Sequence, residues 1–276
     1  MKLLTFILFT VIIISNISNA QEFKFPESAA FDPSANCYFI SNYGAGDIIQ
    51  IDTAGVKTYF KQGLSKPLGM IIYNNILYVV DNPQSVKGFD ISNGSQTTDI
   101  KINEALFLND ITCDNSGNLY VTDSQGNFIY IINIKTQSYK PFFRTISEDP
   151  NGIIYDKFND RLLVCYFKEK SQIDKINLKD STMSTILLTD TDNLDGITLD
   201  ESGNCYVSSW GIGDFSNGFN EGGKIYKYDS GFKKKSEIIF NGPSGPADIY
   251  FNSYKNEIVI PLFLENKVTF FSLNRK

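Results

Sequence analysis

Histidine is absent from all 276 residues. That removes Ser-His-Asp and Cys-His nucleophile chemistry, and any histidine-ligated zinc centre. The four cysteines, Cys37, Cys113, Cys165 and Cys205, have no CxxC spacing, which argues against a thiolate metal site. Basic residues are outnumbered, 25 Lys and Arg against 31 Asp and Glu. The one basic run, 233–235, reads as a solvated strand edge. Such a balance provides no patch for phosphate backbones and excludes nucleic acid as a partner. Beyond the N-terminus there is no apolar run long enough to span a bilayer, so no stable membrane insertion is expected. Linkers, low-complexity segments and sustained helical periodicity are missing too.

The N-terminus reads MKLLTFILFTVIIISNISNA. Lys2 is a short basic end, 3–14 is an apolar stretch of signal-peptide length, and Ser18, Asn19 and Ala20 make a small-residue cleavage site. Residues 1–20 are therefore expected to be a signal peptide, with an uncleaved anchor as the alternative. The mature chain, 21–276, is expected to be exported, periplasmic or secreted, and to form a single domain. Export permits disulfides.

What the chain has in abundance is repetition. Six segments align: ESAAFDPSANCYFIS from Glu27, LGMIIYNNILYVVD from Leu68, NDITCDNSGNLYVTD from Asn109, NGIIYDKFNDRLLVCY from Asn151, DGITLDESGNCYVSS from Asp195 and ADIYFNSYKNEIVIPL from Ala247. Their starts are spaced by 41, 41, 42, 44 and 52 residues. Each unit reads as four short strands rich in β-branched and aromatic residues, separated by Asp/Asn/Ser/Gly turns. Units of this length and make-up are propeller blades, so the predicted fold is an all-β, six-bladed β-propeller with four-stranded blades. The sixth unit stops after its third strand. EFKF, at 22–25, is the expected fourth, an N-terminal strand that joins the last blade, closes the ring and covers an edge. On this ring Cys37 and Cys205 fall on non-adjacent blades, too far apart to bond. Cys113 and Cys165 lie on different strands of adjacent blades, and their pairing stays open beside the reading of buried free thiols.

In a propeller the first strand of each unit lines a central channel, and the residue that opens it faces the channel mouth. Across the six units that position holds Glu27, Leu68, Asn109, Asn151, Asp195 and Ala247. Leu68 and Ala247 show that the backbone does not require a polar residue there. Two carboxylates and two amides converging on a confined mouth call for a cation. All-oxygen ligation selects a hard divalent ion: Ca²⁺ first, with Mg²⁺ or Mn²⁺ as alternatives.

These residues carry a resemblance. PESAAFD around Glu27, LND around Asn109, PNGIIYD around Asn151 and LDGITLD around Asp195 resemble the senescence marker protein, gluconolactonase and luciferin-regenerating enzyme family of six-bladed propellers, along essentially the whole mature chain. The resemblance implies that Glu27, Asn151 and Asp195 hold a divalent metal. It also implies that Asn109 positions substrate, that Asp195 acts as general base, and that the activity is hydrolysis of a small-molecule lactone or related ester. Such chemistry needs no histidine, because an ion can polarise the carbonyl and a carboxylate can take the proton of water.

Sugar-lactone members of that family tend to carry an arginine two residues before the Asn109 position, where this chain has Phe107 in the apolar run EALFLND. That favours a less polar substrate. The long interval falls in the fifth unit, where Trp210–Gly223, WGIGDFSNGFNEGG, interrupts the second and third strands at the same end as the channel mouth. Trp210, Phe215 and Phe219 are its candidate pocket residues, and Asp214 and Glu221 are within its reach. Asp81 and Asp123 read as loop-fixing residues, Asp110 as a loop anchor, and Asp32, Asp114, Asp156 and Asp200 as turn residues. The alternative function is a non-enzymatic propeller like the NHL-repeat proteins, which share the GNLYVTD pattern and bind a protein or other macromolecule. A strictosidine-synthase-like activity lacks its glutamate-centred amine chemistry here.

Overall fold

The computed structural model describes residues 21–220, 222–233, 237–243 and 245–274. The expected signal peptide, Glu221 and most of the 233–235 run lie outside the described residues.

The repeat pattern becomes a ring of antiparallel sheets. Five have four strands in sequential order, with inner strands Pro26–Asp32, Pro67–Tyr73, Leu108–Cys113, Pro150–Asp156 and Leu194–Leu199. The sixth has three among the described residues, Tyr250–Asn252, Glu257–Leu262 and Lys267–Ser272. The six inner strands stand side by side, the first against both the second and the sixth, so the ring is closed. Six apolar clusters fill the structure, one at each blade-to-blade seam. The turn aspartates act as expected: Asp114 Oδ1 accepts the N–H of Ser116 at 2.8 Å and of Asn118 at 2.9 Å, and Asp200 repeats the pattern with Ser202 and Asn204.

The seam between the sixth and first blades differs in detail from the sequence expectation. Residues 22–25 lie at that seam but form no strand. The backbone carbonyls of Lys24 and Phe25 accept from Gly44 and Tyr43, and the Phe25 N–H donates to Asn266 Oδ1 at 2.7 Å. Side chains supply the closure. Phe23 packs with Phe31, Ile40 and Ile49 of the first blade and Val259 of the sixth. The Ser28 hydroxyl donates to Asp248 Oδ2 at 2.6 Å, and Asn252 Nδ2 donates to the Tyr38 hydroxyl at 2.6 Å. Pro26 begins the first strand, and a proline at that place ends the preceding pairing because it has no N–H to donate.

One irregularity recurs. In five blades the ladder between first and second strands skips at the same step: between Pro26 and Ala29, Pro67 and Met70, Leu108 and Ile111, Pro150 and Ile153, and Leu194 and Ile197. The residues inside these bulges are Glu27-Ser28, Leu68-Gly69, Asn109-Asp110, Asn151-Gly152 and Asp195-Gly196. A bulge re-aims side chains and frees backbone groups. Hydroxyls on the second strand take up the freed N–H groups: Ser28 N–H donates to Ser41 Oγ (2.8 Å), Asp110 N–H to Thr122 Oγ1 (3.0 Å) and Gly196 N–H to Ser208 Oγ (2.7 Å). Two of these hydroxyls donate onward across a seam, Thr122 to the Asn151 carbonyl and Ser208 to the Ala247 carbonyl, both at 2.8 Å. Cys165 Sγ makes the same link to the Asp195 carbonyl at 3.1 Å. Asn151, Asp195 and Ala247, at the channel mouth, are thus tied to the blade before them.

Candidate functional site

Four residues singled out by the repeat alignment, Glu27, Asn109, Asn151 and Asp195, line one cavity of about 600 Å³, together with Leu68 from the same column. All four polar residues are buried. Their placement follows from the bulges, which turn the first residue of each pair toward the mouth. Asn109 is held further: its Nδ2 donates to Ser124 Oγ at 3.2 Å, and that hydroxyl donates to the Pro150 carbonyl at 2.7 Å.

Electrostatically the floor is unusual. Glu27 Oε2, Asp195 Oδ1 and the Trp210 Nε1 are buried with no hydrogen-bond partner. Burial, then the charge of Asp195, pushes the Glu27 carboxyl well above its ordinary value. Burial, then Asp248, raises Asp195 to about 8, partly offset by the nearby Trp210 indole. The indole N–H lowers the Asp195 pKa without forming a hydrogen bond of ordinary geometry, so both atoms stay unsatisfied.

A second set of acids stands one residue further along the inner strands, which the sequence reading did not assemble. At that position the blades hold Ser28, Gly69, Asp110, Gly152, Gly196 and Asp248. Asp110 is more than the expected loop anchor. Its Oδ1 accepts the N–H of Ile111 and its Oδ2 that of Ile153 in the next blade, both at 2.7 Å, so it ties two blades together. Asp248, raised to about 7 by burial and lowered in part by Ser28, was not anticipated. Both line a second cavity of about 260 Å³, with Ile111, Ile153 and Asp200, toward the turn end of the channel. Reading the second column across the units, as was done for the first, would have found both. The glycines there permit close approach: a Cβ on Gly196 would lie 2.6 Å from the Asp248 Cα, and one on Gly152 2.3 Å from the Asp195 carbonyl oxygen.

Above the acidic floor the wall is aromatic. Phe107, Trp210 and Phe215 line the cavity, joined by Phe25, Tyr43, Phe167 and Phe263, which sequence reasoning missed because they fall on the closing segment and three different blades with no shared spacing. Phe107 is fixed by Asp123, whose Oδ1 accepts its N–H at 2.8 Å and whose Oδ2 accepts that of Leu106 at 3.0 Å. Asp81 does the equivalent work for Ser65 and Lys66, at 2.7 and 2.9 Å. Phe219 does not line the cavity; it packs on Trp210 with ring centroids 5.0 Å apart. The insertion is tied down. Asn193 Nδ2 donates to the carbonyls of Gly211 and Gly213, both at 2.9 Å, and Gly213–Asp214 pairs with Gly218–Phe219 as a small hairpin. Asp214 is exposed and caps the hairpin turn through Ser216 and Asn217, so it does not reach the cavity. All four cysteines are free thiols.

The donor set bears on a metal. Among the described residues no group of three or more Asp, Glu, His or Cys side chains is arranged to hold an ion. The mouth offers two carboxylates and two amides instead, a set of neutral and anionic oxygens suited to a hard cation. The orphaned Glu27 Oε2 and Asp195 Oδ1 fit that group: buried carboxylate oxygens without partners are costly unless a cation meets them.

No protein-family model matches the sequence, and no curated protein matches it. Solved structures share the fold. A gluconolactonase from Xanthomonas campestris superposes with a TM-score of 0.75 at 13% identity, over 91% of this chain and 86% of its own. Virginiamycin B lyase from Staphylococcus aureus gives 0.61 at 15% identity, over 93% and 89%. A chain of the nidogen/laminin complex gives 0.67 at 14% identity, over 85% and 92%. The resemblance read from the repeats therefore holds at the level of fold: this chain is a six-bladed β-propeller of the architecture that a gluconolactonase, a streptogramin-type lyase and a protein-binding module all use.

Proposed function

We propose that this chain is a divalent-cation-dependent hydrolase of a lactone or related ester, acting outside the cytoplasm, with its centre at the channel mouth. One observation carries the reading. Glu27 and Asp195 each present a buried, unpartnered carboxylate oxygen on the floor of the cavity that also receives Asn109 and Asn151. Glu27, Asn151 and Asp195 would hold the ion, Ca²⁺ first by its tolerance of mixed carboxylate and amide oxygens. When bound, it supplies the positive charge that polarises a carbonyl and acidifies water.

The chain's own residues do the rest. Asp195 in its ionised form takes a proton from water as the water oxygen bonds to the acyl carbon, and returns it to the departing ring oxygen when the acyl C–O bond breaks. Asn109, braced by Ser124, holds the substrate against that carboxylate. The aromatic wall excludes bulk water and so strengthens each electrostatic contact on the floor. The gluconolactonase among the fold relatives supports this chemistry; the nidogen/laminin relative supports a binding propeller instead. A panel of lactones and aryl esters assayed with Ca²⁺ and with EDTA separates the two. Hydrolysis that needs the cation and falls by about 10²-fold or more in Asn109→Ala and Asp195→Asn supports the enzyme. No turnover with any divalent cation leaves the binding propeller.

A further inference from the structure

The walls of the same cavity say what kind of ligand it takes. Among the described residues that line it there is no Lys or Arg, and the chain has no His. The charged groups are Glu27, Asp149 and Asp195, all acidic. Lys66, outside the lining, has its ammonium 5.2 Å from the ring centroid of Tyr43. Without a bound cation, a ligand carboxylate or phosphate would meet no counter-charge here and would face three acids. A polyhydroxylated ligand fares little better. It needs a partner for every hydroxyl it buries; the Ser124 hydroxyl is already bonded to Asn109 and to the Pro150 carbonyl, Asn109 and Asn151 are engaged by the substrate carbonyl and the cation in the hydrolase reading, and Gln125 is the one further amide on the lining. Ring faces and edges make up most of the rest. Trp210 stands among Phe167, Phe215 and Phe263, at centroid distances of 5.5, 5.3 and 5.5 Å. Leu68, in the column where other blades carry polar groups, brings the apolar surface down to the floor. The space, about 600 Å³, is that of a small organic ligand and well above what a bare ion needs.

We infer that the cavity takes a neutral lactone or ester with an apolar, ring-bearing body, its carbonyl directed to the floor and its ring against the wall formed by Phe107, Phe167 and Phe215, and that it discriminates against sugar lactones and, in the absence of a cation, against anions. This rests on the hydrolase reading for the bond that is attacked, but the ligand class is carried by the walls alone.

Trp210 is the only tryptophan in the chain, so intrinsic fluorescence reports on this wall directly. The test titrates the full mature protein with γ-phenyl-γ-butyrolactone, glucono-δ-lactone, 4-phenylbutyrate and 4-phenylbutylamine, in EDTA and again in Ca²⁺. The three phenyl probes share one apolar body and differ in charge. Burying a phenyl ring is worth at least about tenfold in affinity. The phenyl lactone should therefore bind at least about tenfold more tightly than the sugar lactone in both buffers, and the charge differences should make it bind more tightly than the butyrate in EDTA and than the amine in Ca²⁺. Phe215→Ala, at a residue 67% exposed and so harmless to folding, should weaken it several-fold. Equal or tighter binding of gluconolactone in either buffer or of butyrate in EDTA, tighter binding of the amine in Ca²⁺, or no response to the phenyl lactone would overturn the inference. Tight phenyl-lactone binding without turnover in any cation would leave the ligand class standing and remove the hydrolase reading.

Discussion

Asp195 is in a position that no stability argument favours. Its Oδ1 is buried and unpartnered, beside Glu27 with a second orphaned oxygen. Folded Asp195 holds its proton more tightly than the unfolded chain does, with the carboxyl raised from 3.8 to about 8 by burial and by Asp248. Its contribution is therefore fully present below about pH 4 and is lost as the pH rises through about 8. Without divalent cation, thermal stability should fall across that window. Asp195→Asn removes the charge at nearly constant shape, so the ion-free variant should be more stable than the native chain by about 1–3 kcal/mol at pH 8.5. Its loss of stability between pH 5 and pH 8.5 should be shallower. Melting curves in EDTA at the two pH values check this; a variant less stable than the native chain at pH 8.5 would show that Asp195 is satisfied by something other than a cation. Trp210 was legible in the sequence only as an aromatic in an insertion. That its indole N–H would face Asp195 depended on how Asn193 anchors the loop, which no local pattern encodes.

At the scale of elements the bulge decides most of what the site is. A regular strand would alternate its side chains between faces. The recurring bulge instead directs one column of residues into the mouth and the next column to the far side, which is why Asn109 and Asp110 serve two different cavities. The repeat period made the first column readable, because turn-strand boundaries recur in the sequence and mark it. The second column was harder to see, since three of its six members are glycines whose purpose is backbone approach rather than chemistry. Gly152 shows this best. A Cβ there would meet the Asp195 carbonyl oxygen at 2.3 Å and the Gly196 Cα at 3.1 Å, both backbone atoms that cannot step aside. Gly152→Ala should cost about 1–3 kcal/mol and should also weaken cation binding several-fold, because the strand that carries Asp195 has to move. A variant that melts lower yet binds the cation as tightly as the native chain would separate the two columns mechanically. The closing seam also departed from sequence expectation. Residues 22–25 sit where spacing put them, but Phe23 and the Ser28–Asp248 pair do the joining, and side-chain packing of that kind leaves no periodic trace.

For the whole molecule, the ring shape explains why so few motifs suffice. Six near-equivalent inner strands meet at one axis, so a single residue per blade is enough to build a many-sided centre, and apolar seams hold the blades while the axis stays polar. The same architecture serves catalysts and binding modules among its fold relatives, so the fold does not choose between them and the axis must. At the axis, burial raises the carboxyls of both Glu27 and Asp195, that of Asp195 to about 8, and a bound cation would displace the proton that Asp195 holds near neutral pH. The most direct test is isothermal calorimetry of Ca²⁺ binding to the mature chain at pH 7, in buffers of different ionisation enthalpy, with Asp195→Ala alongside. The account predicts one ion per chain, release of about one proton per ion, and loss of both in the variant. No binding of Ca²⁺, Mg²⁺ or Mn²⁺, or binding that Asp195→Ala leaves unchanged, would contradict it.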